Sequence, residues 1–587
     1  MSDDTQRHDN AAAGGVDRRR FLTSGLATAG AIAAATVGVE AIADAADTSA
    51  TARRLGRRAS RRSSRPNILV IMVDQMRTPR WFGGAGPALT LPPNIARIAR
   101  SGVSFARHYT ASNDCTPARA ALLTGLYTHQ TGCMITGAST LDPGFPTWGT
   151  MLREQGYATH WYGKWHLTRG DRLWHGGDGS RALERYGFAG GTFPSPNGAP
   201  GQGWHVDPKI AQQFEHFYDE AGGYEPWCTT VSFVNPHDIA WWWRWSRASA
   251  AEASAPGSIT TLPPNFETPE QLVAGRKPSV QLSLQDTSAV SFGEVPFRGA
   301  GVTAAWLPFL DLYVKLQLEV DRQVGAVLQT LARRPAIAEN TIVVFTSDHG
   351  EYGASHGLRG KGAGMYEEGI RVPLIVSDPT GKLGGVPNTV RHQITSSVDF
   401  APMLLTIATG SADWRLDPRY SHISTRADIA AIVADPAAPG RAHALHATDE
   451  VLTEFALLPY AASAPLHVKG LVTRNAKYAT YTHWRGSTVE PRTHGEQAEL
   501  YDFTTSAGYR ELDNLAGRSA REDHLRAALE RATREELHAP LPFTLVRAQQ
   551  RGLEEYHRLA QTERTLSEVH RLHAVERVVR AVEAQLP

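Results

Sequence analysis

The stretch NILVIMVD (Asn67–Asp74) is an unbroken apolar run that stops at an acid. A strand with one wet face alternates apolar and polar residues. A run without alternation belongs to a strand buried on both faces, and so to a sheet with helices above and below it. TIVVFTSDHG (Thr341–Gly350) repeats the pattern and ends in Asp348 and His349. ATHWYGKWHL (Ala158–Leu167) and TTVSFVNPHD (Thr229–Asp238) are shorter β-rich runs followed by polar residues. NIARIARSG reads as a helix closed by Gly102, and LEVDRQVGAVLQTL puts Val320, Val324, Val327, Leu328 and Leu331 on one helical face. Strands alternating with helices at these lengths predict an α/β fold, with a mostly parallel sheet sandwiched by helices. After about residue 440 the alternation fades. HVKGLVTRNAKYATYTHW then reads as an antiparallel pair and AELYDF as a further strand, which predicts a smaller C-terminal antiparallel-sheet subdomain.

In parallel sheets, sites form just beyond the carboxyl ends of the strands. Four such ends carry chemistry here: Asp74, Lys164 with His166, His237, and Asp348 with His349. NDCTPARAALLTG (Asn113–Gly125) adds a cysteine at the mouth of a helix. Pro117 suits the first turn, where its missing N–H costs nothing. Cys115 then sits at the positive end of the helix dipole, and Arg119 can reach back to it from one turn on. Alone, such a cysteine reads as a small buried apolar residue and such an arginine as a surface residue. Together with the four strand ends they read as one assembled anion pocket around a nucleophile, although no base on the helix accompanies the thiol.

C-x-P-x-R followed by A-x-L-L-T-G is similar to the signature of the type I sulfatases, in the alkaline phosphatase superfamily. GYATHWYGKWHL resembles their second signature. RPNILVIMVDQ, TSDHGEYGASHG and ELYDF…NLAG resemble further family blocks in the expected order, over roughly residues 66 to 520. The resemblance implies that a formylglycine-generating enzyme oxidises Cys115 to an aldehyde whose hydrate is the nucleophile. It implies one divalent metal held by Asp74, Gln75, Asp348, His349 and an oxygen of modified Cys115. Ca²⁺ is the first expectation for an oxygen-rich set, and the imidazole also admits Mn²⁺ or Mg²⁺. It further implies that Arg119 orients the diol and that His166 takes the proton that frees sulfate. Lys164 and Lys361 would bind the sulfuryl oxygens, and His237 would serve the leaving oxygen as acid.

One departure bears on substrate. Many sulfatases carry Asp-Asp and Asp-Asn at the two metal pairs, whereas this chain carries Asp74-Gln75 and Asp348-His349. Those pairs resemble phosphonate monoester hydrolases and choline sulfatases, and they leave the site less negative. The expected reaction is hydrolysis of a small-molecule sulfate ester. The alternatives are a phosphonate monoester or phosphodiester hydrolase using the same site, and an unmodified, non-catalytic anion-binding protein. A formal net charge of +1 gives no electrostatic case for nucleic acid.

The remaining chain divides by composition. Residues 1–46 resemble a twin-arginine export signal: Arg18, Arg19 and Arg20, then Phe21 and Leu22, then a weakly apolar Ala/Gly/Thr stretch ending at ADAA. A membrane anchor is the competing reading. The signal implies passage through the twin-arginine machinery to a periplasmic or extracellular location. Residues 47–65 form a linker, with seven arginines and no acid between Thr51 and Arg65. The catalytic domain is expected over 66–440, the antiparallel subdomain over 441–540 and a charged helical tail over 541–587. Ala248–Ala304 reads as a low-pattern insertion rimming the site. WWWRW (Trp241–Trp245) is either loop packing or an aromatic wall beside the site. Of the three cysteines, Cys133 and Cys228 are expected as free core thiols, although a bridge between them is open.

Overall fold

Strand β1 (Asn67–Asp74) sends Ile68, Val70 and Met72 into one apolar core and Leu69, Ile71 and Val73 into another, with none of the six exposed. That two-sided burial is why its sequence carries no polar alternation. The protein is described by a computed structural model covering residues 65–561, apart from 79–90, 169–180, 225, 245, 247–249, 363, 450–463, 486–487 and 493. The export signal, nearly all of the linker, Trp245 and the end of the tail therefore lie outside the described residues.

The other strands are β2 (Val103–Phe105), β3 (His108–Tyr109), β4 (Ala158–Gly163), β5 (Ala189–Gly190), β6 (Trp227–Pro236), β7 (Thr341–Ser347), β8 (Leu374–Ser377), β9 (Thr389–Arg391), β10 (Thr395–Ser396), β11 (Ala444–Asp449), β12 (His467–Val472), β13 (Ala476–Thr482) and β14 (Gln497–Asp502). The main sheet has eight strands in the order β5-β4-β6-β1-β7-β8-β2-β9. All neighbours are parallel except β8, which runs against both β7 and β2. Register places the site. Val73 pairs with Ser347, so the next residues, Asp74 and Asp348, leave the sheet side by side.

Helices α1 (Pro93–Arg100), α2 (Cys115–Thr124), α3 (Trp148–Glu154), α4 (Gln202–Glu220), α5 (Ser279–Phe292), α6 (Val302–Ala332), α7 (Phe400–Thr409) and α8 (Glu522–Ala532) complete the frame. α2, α3 and α7 cover the face of Ile68 and Val70, while α1, α4 and α6 cover the face of Leu69 and Ile71. The expected α/β sandwich is the observed one.

β11 to β14 form a separate four-stranded antiparallel sheet in sequence order. Leu525 and Leu529 of α8 pack on Leu445, Leu471 and Tyr478 of that sheet, in one cluster with Ala121 of α2. The small sheet is thus built onto α2, the helix that Cys115 opens. The 250–304 segment departs from the low-pattern expectation, because it contains the 14-residue α5. Gln285 of that helix donates to the carbonyl of Gly357 at 3.2 Å, so tertiary contact stabilises what composition left unmarked. All three cysteines are free and buried. Among the described residues no helix is long and apolar enough to cross a membrane.

Candidate active site

α2 is buried all round, which fits a helix whose residues are almost all apolar or small. Asp114 caps it in an extended conformation, and its carboxylate accepts the Cys115 N–H at 2.8 Å. Pro117 falls within the first turn, as expected. The Thr116 hydroxyl donates to the His166 carbonyl at 2.9 Å and pins the start of the helix to the chain leaving β4. Arg119 overturns its surface reading, because it has no exposed surface. Its Nε donates to Asp348 Oδ2 at 2.8 Å and its Nη2 to Asp74 Oδ2 at 2.8 Å. Its Nη1 reaches the Lys164 carbonyl at 2.7 Å and Ser232 Oγ at 3.1 Å. One guanidinium therefore ties together the exits of β1, β4 and β7.

The Cys115 sulfur lies where these ends converge. It is 2.8 Å from Lys361 Nζ, 3.2 Å from His349 Nε2, 3.7 Å from Lys164 Nζ and 3.8 Å from Asp74 Oδ1. Lys164 Nζ is also 2.8 Å from Asp74 Oδ2. Burial, with Asp74 beside it, pushes the thiol up to about 12, so a thiol here stays protonated at neutral pH and is a poor nucleophile. Burial alone would raise Asp74 too, but the surrounding cations, Lys164 first and then Arg119 and Lys361, hold it well below the usual carboxylate range.

Asp74, Cys115, Asp348 and His349 each offer a ligand atom within 4.8 Å of the others. The set suits a metal by more than proximity. His349 Nδ1 lies 3.0 Å from the Gly350 carbonyl and donates to it, which leaves the Nε2 lone pair facing the cluster. Asp74 and Asp348 each spend one oxygen on Arg119 and turn the other towards His349 Nε2, at 3.6 and 3.7 Å. Gln75, in the left-handed region at φ 70°, completes the rim: its Oε1 accepts Lys361 Nζ at 2.8 Å.

His166 and His237 approach the same centre and interact electrostatically with Asp74, Lys164 and Lys361. Both nitrogens of His166 and Nδ1 of His237 are buried without a hydrogen-bond partner. Burial first, then Lys164 with Arg119 for His166 and Lys164 with Lys361 for His237, holds both imidazoles well below their ordinary value and hence neutral. Gly198, at φ 92°, lies flat under His237; a Cβ there would stand 2.5 Å from the ring. The tryptophan run behaves as packing. Trp242 is fully buried, 5.0 Å from Phe309 between ring centres, and Trp241 donates its indole N–H to the Gly198 carbonyl at 2.6 Å.

Sequence reasoning missed the supports: Ser232 on Arg119, Gly198 under His237, and Glu351 on Gln75. Glu351 stands inside the quoted TSDHGEYGASHG block, two residues past His349, yet nothing in one dimension shows where its carboxylate points.

Residues 66–411 match the Sulfatase family. The chain is a member of that family. This sulfatase is a sulfuric ester hydrolase of the alkaline phosphatase superfamily. The uncharacterized sulfatase YidJ of Escherichia coli (strain K12) is 29% identical over 367 residues, covering 59% of this chain and 68% of its own. The choline-sulfatase of Rhizobium meliloti (strain 1021) is 27% identical over 376 residues, with the same coverage. Among solved structures, the phosphonate monoester hydrolase SpPMH from Silicibacter pomeroyi has a TM-score of 0.61 at 19% identity, covering 82% of this sulfatase and 97% of that chain, a likeness of fold.

Proposed function

We propose that this sulfatase hydrolyses a small-molecule sulfate ester with a formylglycine made from Cys115, beside one divalent cation. The observation that carries the reading is the setting of the Cys115 sulfur: a neutral, unreactive thiol enclosed by two lysines, a lone-pair-bearing imidazole and a carboxylate. An aldehyde hydrate on that carbon supplies the nucleophilic oxygen that the thiol does not. Asp74, Gln75, Asp348 and His349 would hold the cation, whose chemistry is Lewis-acid polarisation of the ester oxygens. Oxygen donors with one imidazole favour Ca²⁺, with Mn²⁺ or Mg²⁺ compatible.

The chain's own groups have separable roles. Arg119, Lys164 and Lys361 outnumber Asp74 and Asp348 by one positive charge, which attracts an anionic ester before any cation is counted. Lys164 and Lys361 bind the sulfuryl oxygens, and Arg119 holds the strand ends around the modified Cys115 so that the diol is oriented. His166 is neutral, with both nitrogens unengaged, and so is ready to take the proton whose loss expels sulfate. His237 delivers a proton to the leaving oxygen. Its depressed pKa makes the imidazolium a strong acid, and the negative charge of the bound ester is what populates it.

One observation favours a second reading. The pairs Asp74-Gln75 and Asp348-His349 carry one carboxylate fewer than the Asp-Asp and Asp-Asn pairs of many sulfatases, and a less negative site also suits phosphonate monoesters and phosphodiesters. The test is a pair of kcat/KM values for an aryl sulfate and an aryl phosphonate monoester. The protein is co-produced with a formylglycine-generating enzyme, with Cys115→Ala as control and a mass spectrum across HYTASNDCTPAR. Preference for the sulfate with an aldehyde at position 115 supports the first reading. Preference for the phosphonate supports the second, and an unmodified thiol in an active protein overturns both. Export by the twin-arginine route to the periplasm or beyond is proposed on residues 1–46 alone.

A further inference from the structure

The Gln75 carboxamide is held at both ends by groups that each accept only one orientation. Lys361 Nζ, 2.8 Å from Oε1, can only donate. On the other side Nε2, which can only donate, meets the Oε2 of buried Glu351, which accepts it. The other oxygen of Glu351 is fully used: Oε1 accepts the Gly353 N–H at 2.9 Å and the Gly360 N–H at 2.7 Å. Gly360 immediately precedes Lys361, so a single carboxylate grips both a rim residue and the loop that carries the lysine.

We infer that Glu351 is a positioning residue that turns the Gln75 carboxamide oxygen, rather than its NH₂, towards the cation site. The inference rests on the metal reading of the site and adds to it a reason why glutamine can stand where many relatives carry a carboxylate. A carboxylate presents oxygen whichever way it is turned. An amide presents oxygen in one orientation and a repelling NH₂ in the other, so it requires an external group to choose. Lys361 and Glu351 make that choice together, and Glu351 makes it from the NH₂ side of the amide.

The chemistry yields a swap that a merely structural role does not predict. In Glu351→Gln the Oε1 contacts to the Gly353 and Gly360 N–H groups are retained. The new NH₂ then faces the Gln75 NH₂, donor against donor. Gln75 then either keeps two donors opposed and is pushed off its position, or rotates and places its NH₂ against Lys361 Nζ and the cation; both weaken the oxygen ligand. Adding Gln75→Glu to Glu351→Gln restores a donor–acceptor pair and returns oxygen to the site in every orientation.

The experiment is Mn²⁺ titration of the metal-stripped full-length protein, followed by electron paramagnetic resonance, on wild type, E351Q and the Q75E/E351Q double variant, with D74N as site control. We expect E351Q to bind Mn²⁺ about 10- to 100-fold more weakly, the usual loss for an outer-shell partner. The double variant should bind at least as tightly as wild type. Equal affinity of E351Q and wild type overturns the inference, as does a double variant no tighter than E351Q. If E351Q does not fold, the double variant decides alone: wild-type binding supports the inference and lost binding overturns it. Failure of the underlying metal reading looks different, because wild type would then bind no Mn²⁺ or D74N would bind it equally well.

Discussion

Among the described residues two buried clusters have the composition of a metal site, and they differ in how far their imidazoles are engaged. In the first, at the ends of β1 and β7, Asp74, Asp348 and His349 converge on Cys115, and nearby histidine nitrogens have no partner. In the second, His356, Glu368 and Glu511 also come within ligand distance of one another. Both clusters hold protein cations beside their acids, but in the second both imidazole nitrogens are taken, His356 Nε2 lying 3.2 Å from Asn265 Nδ2 and Nδ1 facing Glu267. Lys477 Nζ is 3.0 Å from Glu367 and also pairs with Glu511, while Lys277 Nζ is 3.5 Å from Glu267 and 2.8 Å from the Tyr501 hydroxyl. His356 bonds Glu267 at 2.6 Å and stacks on Tyr366 with ring centres 3.6 Å apart. The first cluster keeps imidazole nitrogens without partners around the Cys115 sulfur. The second has its imidazole fully engaged and joins the C-terminal sheet to the catalytic body. Donor composition alone does not mark a metal centre; donor atoms left unengaged do.

The sharpest break between the clusters is expected at Cys115. Cys115→Ala should lower kcat/KM on the order of 10⁵-fold, as loss of a covalent nucleophile does, with the melting temperature nearly unchanged. His166→Asn should lower kcat by roughly 10³-fold, the range for a general base, with KM little altered in steady-state kinetics. In the other cluster the effects reverse. Lys477→Met removes the buried ammonium shared by Glu367 and Glu511 and should cost about 3–5 kcal/mol in denaturant unfolding, while kcat/KM per folded molecule stays at the wild-type value. If the folded variant loses activity as well, the second cluster is not purely structural and the contrast fails.

The smallest effect concerns a third tether. Glu536 accepts from Arg441 Nη1 at 2.7 Å and the Tyr127 hydroxyl at 2.7 Å, and lies 2.8 Å from His443 Nε2. Burial would raise its pKa, but His443, Arg441 and Tyr127 hold it below the usual carboxylate range. A depressed carboxylate contributes stability above its unfolded pKa of about 4.3 and loses it as pH falls further. Glu536→Gln should therefore cost about 2 kcal/mol at neutral pH. It should also flatten the acid limb of a melting temperature against pH profile below about pH 4.3.

Some of this architecture is legible residue by residue. β1 and β7 declare themselves because burial on both faces leaves unbroken apolar runs, six residues in β1 (Ile68–Val73) and four in β7 (Ile342–Phe345). Cys115 and Arg119 are legible as a pattern, though not in their setting: a guanidinium expected at a surface is instead the bolt through three strand ends. β8 and β11 went unread for different reasons. Leu374–Ser377 is too short to show a period, and Ala444–Asp449 mixes His446 and Thr448 with small apolar residues. β11 is a strand because β12 supplies its hydrogen bonds, with Ala444 opposite Val472 and Asp449 opposite His467.

By itself the sequence determined the α/β layering, the strand ends that carry the chemistry, and the presence of every candidate ligand, because each depends on local periodicity or on residue identity. The orientation of the Gln75 amide, the burial of Arg119 and the contrast between a cluster with unengaged imidazole nitrogens and one whose imidazole is fully bonded were decided only in the tertiary structure. Each depends on which groups more than 200 positions apart in the chain come within hydrogen-bonding distance: Gln75 with Glu351, Arg119 with Asp348, Lys277 with Tyr501. A hydrogen bond is short-ranged and directional, so its existence is a property of the packed chain and not of the order of its residues.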